Sequence, residues 1–148
     1  RNNMGAPWRM PTKEEFQELY DNTDNEWVAN FEGTGVAGRK FMKKSDHSVF
    51  VFFPASGNRN GTGLNNRGSN GNYWSASLNS QTNGYNLNFN SGGVNPANNN
   101  NRFNGFPVRA VQHLSIIISR HTHSNRGHNE PAHLQHRRLQ ADARPTTL

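Results

Sequence analysis

From Tyr85 to Asn90 the chain alternates apolar and amide side chains, Tyr85, Leu87 and Phe89 against Asn86, Asn88 and Asn90. A period of two sends the sets to opposite faces of a strand. Asparagine has poor strand propensity, so a strand with an amide face calls for a reason. The pattern is not isolated: of 24 asparagines, 17 lie between Asn58 and Asn104, and no Asp or Glu occurs from His47 to Asn129. That stretch cannot supply paired carboxylates for hydrolysis or a carboxylate cage for calcium. A prion-like low-complexity tract is one account of such a composition. It does not explain Leu87 and Phe89 at alternate positions, nor the framing by Trp74 and Val108. A folded domain presenting a polar face explains both.

At 148 residues the chain is the size of one domain. Leu, Ile, Val and Phe number only 27, close to the level at which disorder becomes an alternative. No apolar run reaches the length of a membrane span. There is no cysteine, which excludes disulfides, thiolate zinc sites and a cysteine nucleophile. In residues 1–112, eleven Lys and Arg against eight acids leave +3, and the last 36 residues carry the other +3. Scattered cations of this kind are not a nucleic-acid footprint.

Thr12 and Glu15 form a capping box ahead of Phe16, Leu19 and Tyr20, which predicts a helix over about residues 13–20. Trp27, Ala29 and Phe31 alternate like a strand. Gly33-Thr34-Gly35-Val36-Ala37-Gly38 has the form G-x-G-x-x-G, but Arg39–Lys44 reads as strand and no acid lies 20 residues on, so a glycine-rich turn is expected instead of a nucleotide site. Ser45-Asp46-His47 reads as a turn, and Val49–Phe53 as a buried strand stopped by Pro54. Residues 55–72 read as a long ordered loop or disorder, with Asn60-Gly61 and Asn70-Gly71 as turns. Asn60-Gly61-Thr62 is also a glycosylation sequon, read here as a turn. Phe106–Val111 reads as a closing strand.

The remainder, 113–148, holds six of the seven histidines and the apolar patch Ile116–Ile118. His121, His123, His128, His133 and His136 are donors for a transition metal in principle, but their spacing matches no known site. An unstructured His-rich tail is expected, because its polarity does not offset an ordering cost of about 1–2 kcal/mol per residue.

Trp8-Arg9-Met10-Pro11-Thr12 with Glu15-Phe16, Val51-Phe52-Phe53-Pro54-Ala55, Gly57-Asn58-Arg59, Tyr73-Trp74-Ser75-Ala76-Ser77, Asn98–Arg102 and Gly105-Phe106-Pro107-Val108-Arg109 occur in this order. Together they resemble the Fibrobacter succinogenes major paralogous domain family over residues 5–112. The resemblance implies an α+β, C-type-lectin-like (formylglycine-generating-enzyme-like) domain with long irregular loops over residues 1–112. It also implies an amino-terminal truncation, since the family normally has more sequence before the Trp-Arg-Met-Pro motif. Members are surface or secreted proteins of Bacteroidetes-type bacteria and their phages, so a cell-surface, secreted or phage location is implied. The lectins' calcium chemistry does not carry over without carboxylates, nor the enzymes' chemistry without cysteine, and no cofactor and no enzymatic activity are expected.

Some members resemble the variable proteins of diversity-generating retroelements, in which template adenines are mutated. Asn codons are adenine-rich, so asparagine is the residue such mutagenesis most readily replaces; Tyr85 and Phe103 are reachable from Asn codons. The expected function is a ligand-binding module for a protein or cell-surface target. The alternative is an undiversified adhesion domain in which the same residues are ordinary surface. The ligand-binding residues expected are Asn79, Asn83, Tyr85, Asn86, Asn88, Asn90, Asn95, Asn98, Asn99, Asn101, Phe103 and Asn104. Asn86, Asn88 and Asn90 are expected to be exposed opposite Leu87 and Phe89.

Overall fold

The computed structural model describes residues 7–112. In chain order they form β1 (Trp8–Arg9), α1 (Lys13–Asn22), β2 (Thr23–Val28), β3 (Gly38–Lys43), β4 (Asp46–Pro54), β5 (Asn58–Asn60), β6 (Gly63–Asn65), β7 (Asn70–Leu78), β8 (Asn83–Asn90), β9 (Gly93–Asn101) and β10 (Val111–Gln112). Among the described residues these strands pair antiparallel, as four small sheets: β1–β10, β2–β3–β4, β5–β6 and β7–β8–β9, and one isolated parallel bridge joins Gly57 to Gly71. A short 3-10 turn at Phe31–Gly33 precedes β3.

α1 starts where the capping box predicts. Thr12 Oγ1 accepts from the Glu15 amide, and a Glu15 carboxylate oxygen accepts from the Thr12 amide at 2.8 Å. Both Glu15 oxygens also take a forked bond from Arg9, at 2.5 and 2.6 Å, and this bonding raises the Arg9 pKa. The helix ends as Thr23 turns extended, its hydroxyl bonding back to the Leu19 carbonyl.

The core lies where α1 and the two three-stranded sheets meet. Phe16 comes from the helix, Phe41 and Phe53 from β3 and β4, and Tyr73, Leu87 and Phe89 from β7 and β8. Rings run in sequence through it: Phe41 to Phe53 at 5.5 Å, Phe53 to Tyr73 at 5.0 Å, Tyr73 to Phe89 at 6.1 Å. Each fully buried Phe or Leu contributes roughly 1.5–3 kcal/mol. Tyr73 reconciles its hydroxyl with burial by donating to the Pro54 carbonyl at 2.8 Å. Gly71 is required under Phe89, its partner across β7 and β8, because a Cβ there would fall on the Phe89 ring.

Two irregularities shape the β7–β8–β9 sheet. Opposite Leu87, β9 inserts Pro96 and Ala97 between the pairs Asn86–Asn98 and Asn88–Asn95. Proline has no amide to donate, and a bulge on an edge strand is where a sheet tolerates it. In β7 the ladder breaks between Trp74 and Leu78. There the Ala76 amide donates to the Pro11 carbonyl, and Ser77 Oγ accepts from the Lys13 amide, at 2.8 and 3.0 Å. The break therefore anchors the start of α1.

The α+β, C-type-lectin-like expectation is corrected by this architecture. Strands make up 56% and helix 12% of the described residues, with one α-helix beside several small antiparallel sheets. Among the described residues only α1 has the capping and periodicity to be an α-helix; the others alternate or turn. The expected loop at 55–72 contains the β5–β6 hairpin, and Asn70-Gly71 opens β7 instead of turning. No closing strand spans Phe106–Val111; pairing resumes only at Val111. His47 lies in β4, not in the turn, and pairs with Asp24 at 2.8 Å. The chain turns from Gly33 to Ala37, with Gly33 and Gly35 at positive φ, and Gly38 opens β3. Residues 113–148, expected as an unstructured tail, lie outside the described residues.

Candidate functional site

The twelve expected ligand residues do not form one face. Strand register sorts them. Trp74, Asn72 and Asn70 of β7 stand opposite Asn86, Asn88 and Asn90 of β8, and β9 adds Asn98 opposite Asn86. On the other side of the sheet, Tyr85 pairs with Asn99 and Asn83 with Asn101.

The first set is a hydrogen-bonded ladder. Asn98 Nδ2 donates to Asn86 Oδ1 at 3.2 Å, and Asn86 Nδ2 donates to Asn72 Oδ1 at 3.2 Å. Asn88 Nδ2 reaches Asn72 Oδ1 at 2.8 Å and Asn70 Oδ1 at 3.1 Å; Asn72 Nδ2 closes on Asn70 Oδ1 at 2.6 Å. Asn86 is fully buried, Asn72 nearly so, and Asn88 and Asn98 are half-buried. This face is covered where the chain returns over Trp74. Phe106 stacks on Trp74 at 4.4 Å, Trp74 Nε1 donates to the Asn104 carbonyl, and the Trp74 amide donates to the Pro107 carbonyl. Buried amides are tolerable only when bonded to one another. The expectation of exposure for Asn86, Asn88 and Asn90 therefore holds for Asn90 alone. Alternation identified two faces correctly, but it could not show that both are covered.

Asn90 and Asn95 serve turns at the opposite end. Asn90 Oδ1 accepts from the Gly92 amide, Asn95 Oδ1 from the Ala97 amide, and the Asn90 carbonyl accepts from Arg39. Asn104, half-buried, donates to Asn100 Oδ1 at 2.8 Å. Val108, expected as framework, is 42% exposed.

The remaining residues do come together, at the end of the sheet formed by the β7–β8 turn and the close of β9. The Asn79 amide donates to the Asn83 carbonyl, and Asn83 Nδ2 donates to Asn99 Oδ1 at 3.1 Å. The Arg102 amide donates to the Thr82 carbonyl, and its guanidinium to the Gln81 carbonyl at 3.0 Å. Asn79, Asn99 and Asn101 are exposed, and Phe103 follows at 70% exposure. Tyr85 is half-buried beneath Lys13, whose Nζ lies 4.7 Å above its ring. Lys13 also pairs with Glu14 at 3.5 Å, and backbone hydrogen bonding holds the Glu14 carboxyl below the usual carboxylate range.

A depression of about 250 Å³, bounded by Met10, Trp74, Leu78, Gly84 and Arg102, adjoins this end. A larger groove of about 600 Å³ lies between α1, β4 and residues 109–112, and none of the twelve lines it. Among the described residues no cluster of His, Asp and Glu could hold a metal ion. What the arrangement offers is two aromatic rings, four amides and two cations. Sequence reasoning missed Lys13 and Arg102. The signal for Arg102 was present, a lone cation between Asn101 and Phe103 in a stretch without carboxylates.

Residues 32–111 match the model of a family described as a domain of unknown function (DUF8237). The match spans more than half of the chain, and the chain belongs to that family. No curated protein and no solved structure matches it.

Proposed function

We propose that this DUF8237 member is a non-catalytic ligand-binding module that meets a protein or cell-surface target through the end of the β7–β8–β9 sheet. The observation that carries this reading is the placement of Asn79, Asn83, Tyr85, Asn99, Asn101 and Phe103 at one end of a sheet in which Asn70, Asn72, Asn86, Asn88 and Asn98 are bonded to one another. Rigid aromatic anchors among short adaptable polar side chains are how antibody paratopes combine affinity with tolerance to sequence change. The depression of about 250 Å³ beside these residues is small for a metabolite pocket, which favours a macromolecule.

Diversification by a retroelement is the finer form of the proposal, and it is confined to the exposed members. Replacing Asn72, Asn86, Asn88 or Asn98 at random would break the ladder. The undiversified adhesion domain differs only in having a fixed surface. A template repeat and an error-prone reverse transcriptase gene beside this gene would separate the two. To test binding itself, the chain is screened against arrays of bacterial surface glycans and envelope proteins. Hits should be lost in Phe103→Ala and Tyr85→Ala and kept in Asn90→Ala and Asn95→Ala. Hits indifferent to the first pair would place the binding surface elsewhere.

A further inference from the structure

Four asparagines are followed by glycine: Asn60, Asn70, Asn83 and Asn104. Such a pair can react with itself. The glycine amide nitrogen attacks the asparagine Cγ, a C–N bond forms, and the side-chain nitrogen leaves as ammonia with the proton the amide gave up. Water then opens the cyclic imide at either carbonyl, restoring the N–H and leaving aspartate or isoaspartate. The reaction needs no oxidant and no partner but water. It does need a glycine N–H not bonded elsewhere, an amide side chain free to swing, and a backbone able to bring the two together.

Three of the four pairs lack these conditions. Gly71 is buried in the β7–β8 ladder opposite Phe89, and Asn70 Oδ1 accepts from Asn72 and Asn88. Gly84 is buried in β8 between its partners Leu78 and Asn100, and the Asn83 amide is bonded to Asn99. The Gly105 amide donates to the Arg59 carbonyl at 2.8 Å, and Asn104 Nδ2 is held by Asn100. Asn60-Gly61 differs on every count. Asn60 closes the β5–β6 hairpin against Gly63, so Gly61 and Thr62 form its two-residue turn. Both Asn60 and Gly61 are exposed. Gly61 sits at φ +59° with open space around it, and among the described residues no hydrogen bond engages its N–H or the Asn60 side-chain amide.

We propose that Asn60 is a self-processing site: it converts to aspartate and isoaspartate through the Gly61 nitrogen, while Asn70, Asn83 and Asn104 are protected by the fold. The product places a carboxylate in a stretch that otherwise has none, next to Arg59, whose backbone is bonded to Gly105 in both directions. An isoaspartate also adds a methylene to the backbone of a two-residue turn, which shifts the register of β5 against β6.

The full chain is aged in mildly alkaline buffer, native and in urea, then digested and read by mass spectrometry and by isoaspartyl methyl transfer. In the native protein the acid forms should accumulate at Asn60 several-fold faster than at the other three, and Gly61→Ala should slow them. In urea the four rates should converge, since the sequence pair is the same and only the fold distinguishes them. Equal native rates at the four sites, faster conversion at any of the other three, or a preference for Asn60 that survives urea would overturn the proposal.

Discussion

Asn86 shows how a residue typical of surfaces becomes part of an interior. Its oxygen accepts from Asn98 and its nitrogen donates to Asn72, with no exposed surface left. Asn86→Ala leaves the Asn98 side-chain donor without its acceptor and removes one of the two donors to Asn72 Oδ1, and should cost about 1–3 kcal/mol in denaturant unfolding. Asn99→Ala, at an exposed position, should stay within about 0.5 kcal/mol. Equal effects at the two positions would mean that the ladder is not holding the sheet. Leu87→Ala, in the core, should cost about 2–5 kcal/mol. Tyr73 adds a pH dependence: burial raises its pKa above the ordinary value near 10. Because the folded state holds this proton more tightly, that stability is complete below the ordinary value and is lost as pH rises through the folded one. Melting in alkaline buffer should therefore decline more steeply for the native chain than for Tyr73→Phe, which lacks the proton and also loses the bond to Pro54, worth about 1 kcal/mol.

Elements were legible where a local signal coincided with a tertiary contact. The Thr12–Glu15 box fixed the start of α1, and Thr12→Ala should lower stability by about 0.5–2 kcal/mol, seen as a fall in melting temperature. A smaller loss would mean that the anchorage of the Lys13 amide on Ser77 suffices without the cap. Strand β4 was readable from Val49–Phe53 because an uninterrupted apolar run ends at a proline. β9 was hidden, since Asn98–Asn101 has no strand propensity and Pro96 interrupts it. What makes it a strand is the bulge at Pro96–Ala97 and amides waiting on β8, neither of which is a local property. β7 was hidden for the complementary reason. Asn70-Gly71 reads as a turn, yet the glycine is there to lie under Phe89. The candidate site was legible as a population of asparagines but not as a surface, because strand alternation says which residues share a face and nothing about what covers it.

At the scale of the molecule, the asparagines divide between holding the scaffold and facing solvent, and this division decides whether a receptor reading is physically possible. A surface that varies must be made of side chains the fold does not use. Two libraries test this directly: one randomising Asn79, Asn83, Asn99 and Asn101, the other randomising Asn72, Asn86, Asn88 and Asn98. In the first, Asn83 and Asn99 lose the bond between themselves and Asn83 loses one from the Thr82 hydroxyl, both exposed at the sheet's end, and Asn79 and Asn101 are exposed. Most of its members should fold, at costs of about 0.5 kcal/mol per site. In the second, random residues bring charge and bulk to a covered face and strand the remaining amides, each at about 1–3 kcal/mol, against a total stability of only about 5–15 kcal/mol. Most of its members should be lost to protease when both libraries are displayed and challenged. Differences in binding among survivors of the first library would then be differences of surface on one scaffold. If the two libraries survive equally, the ladder is dispensable; if the first fails as the second does, the end of the sheet is structural and the binding surface must be sought elsewhere.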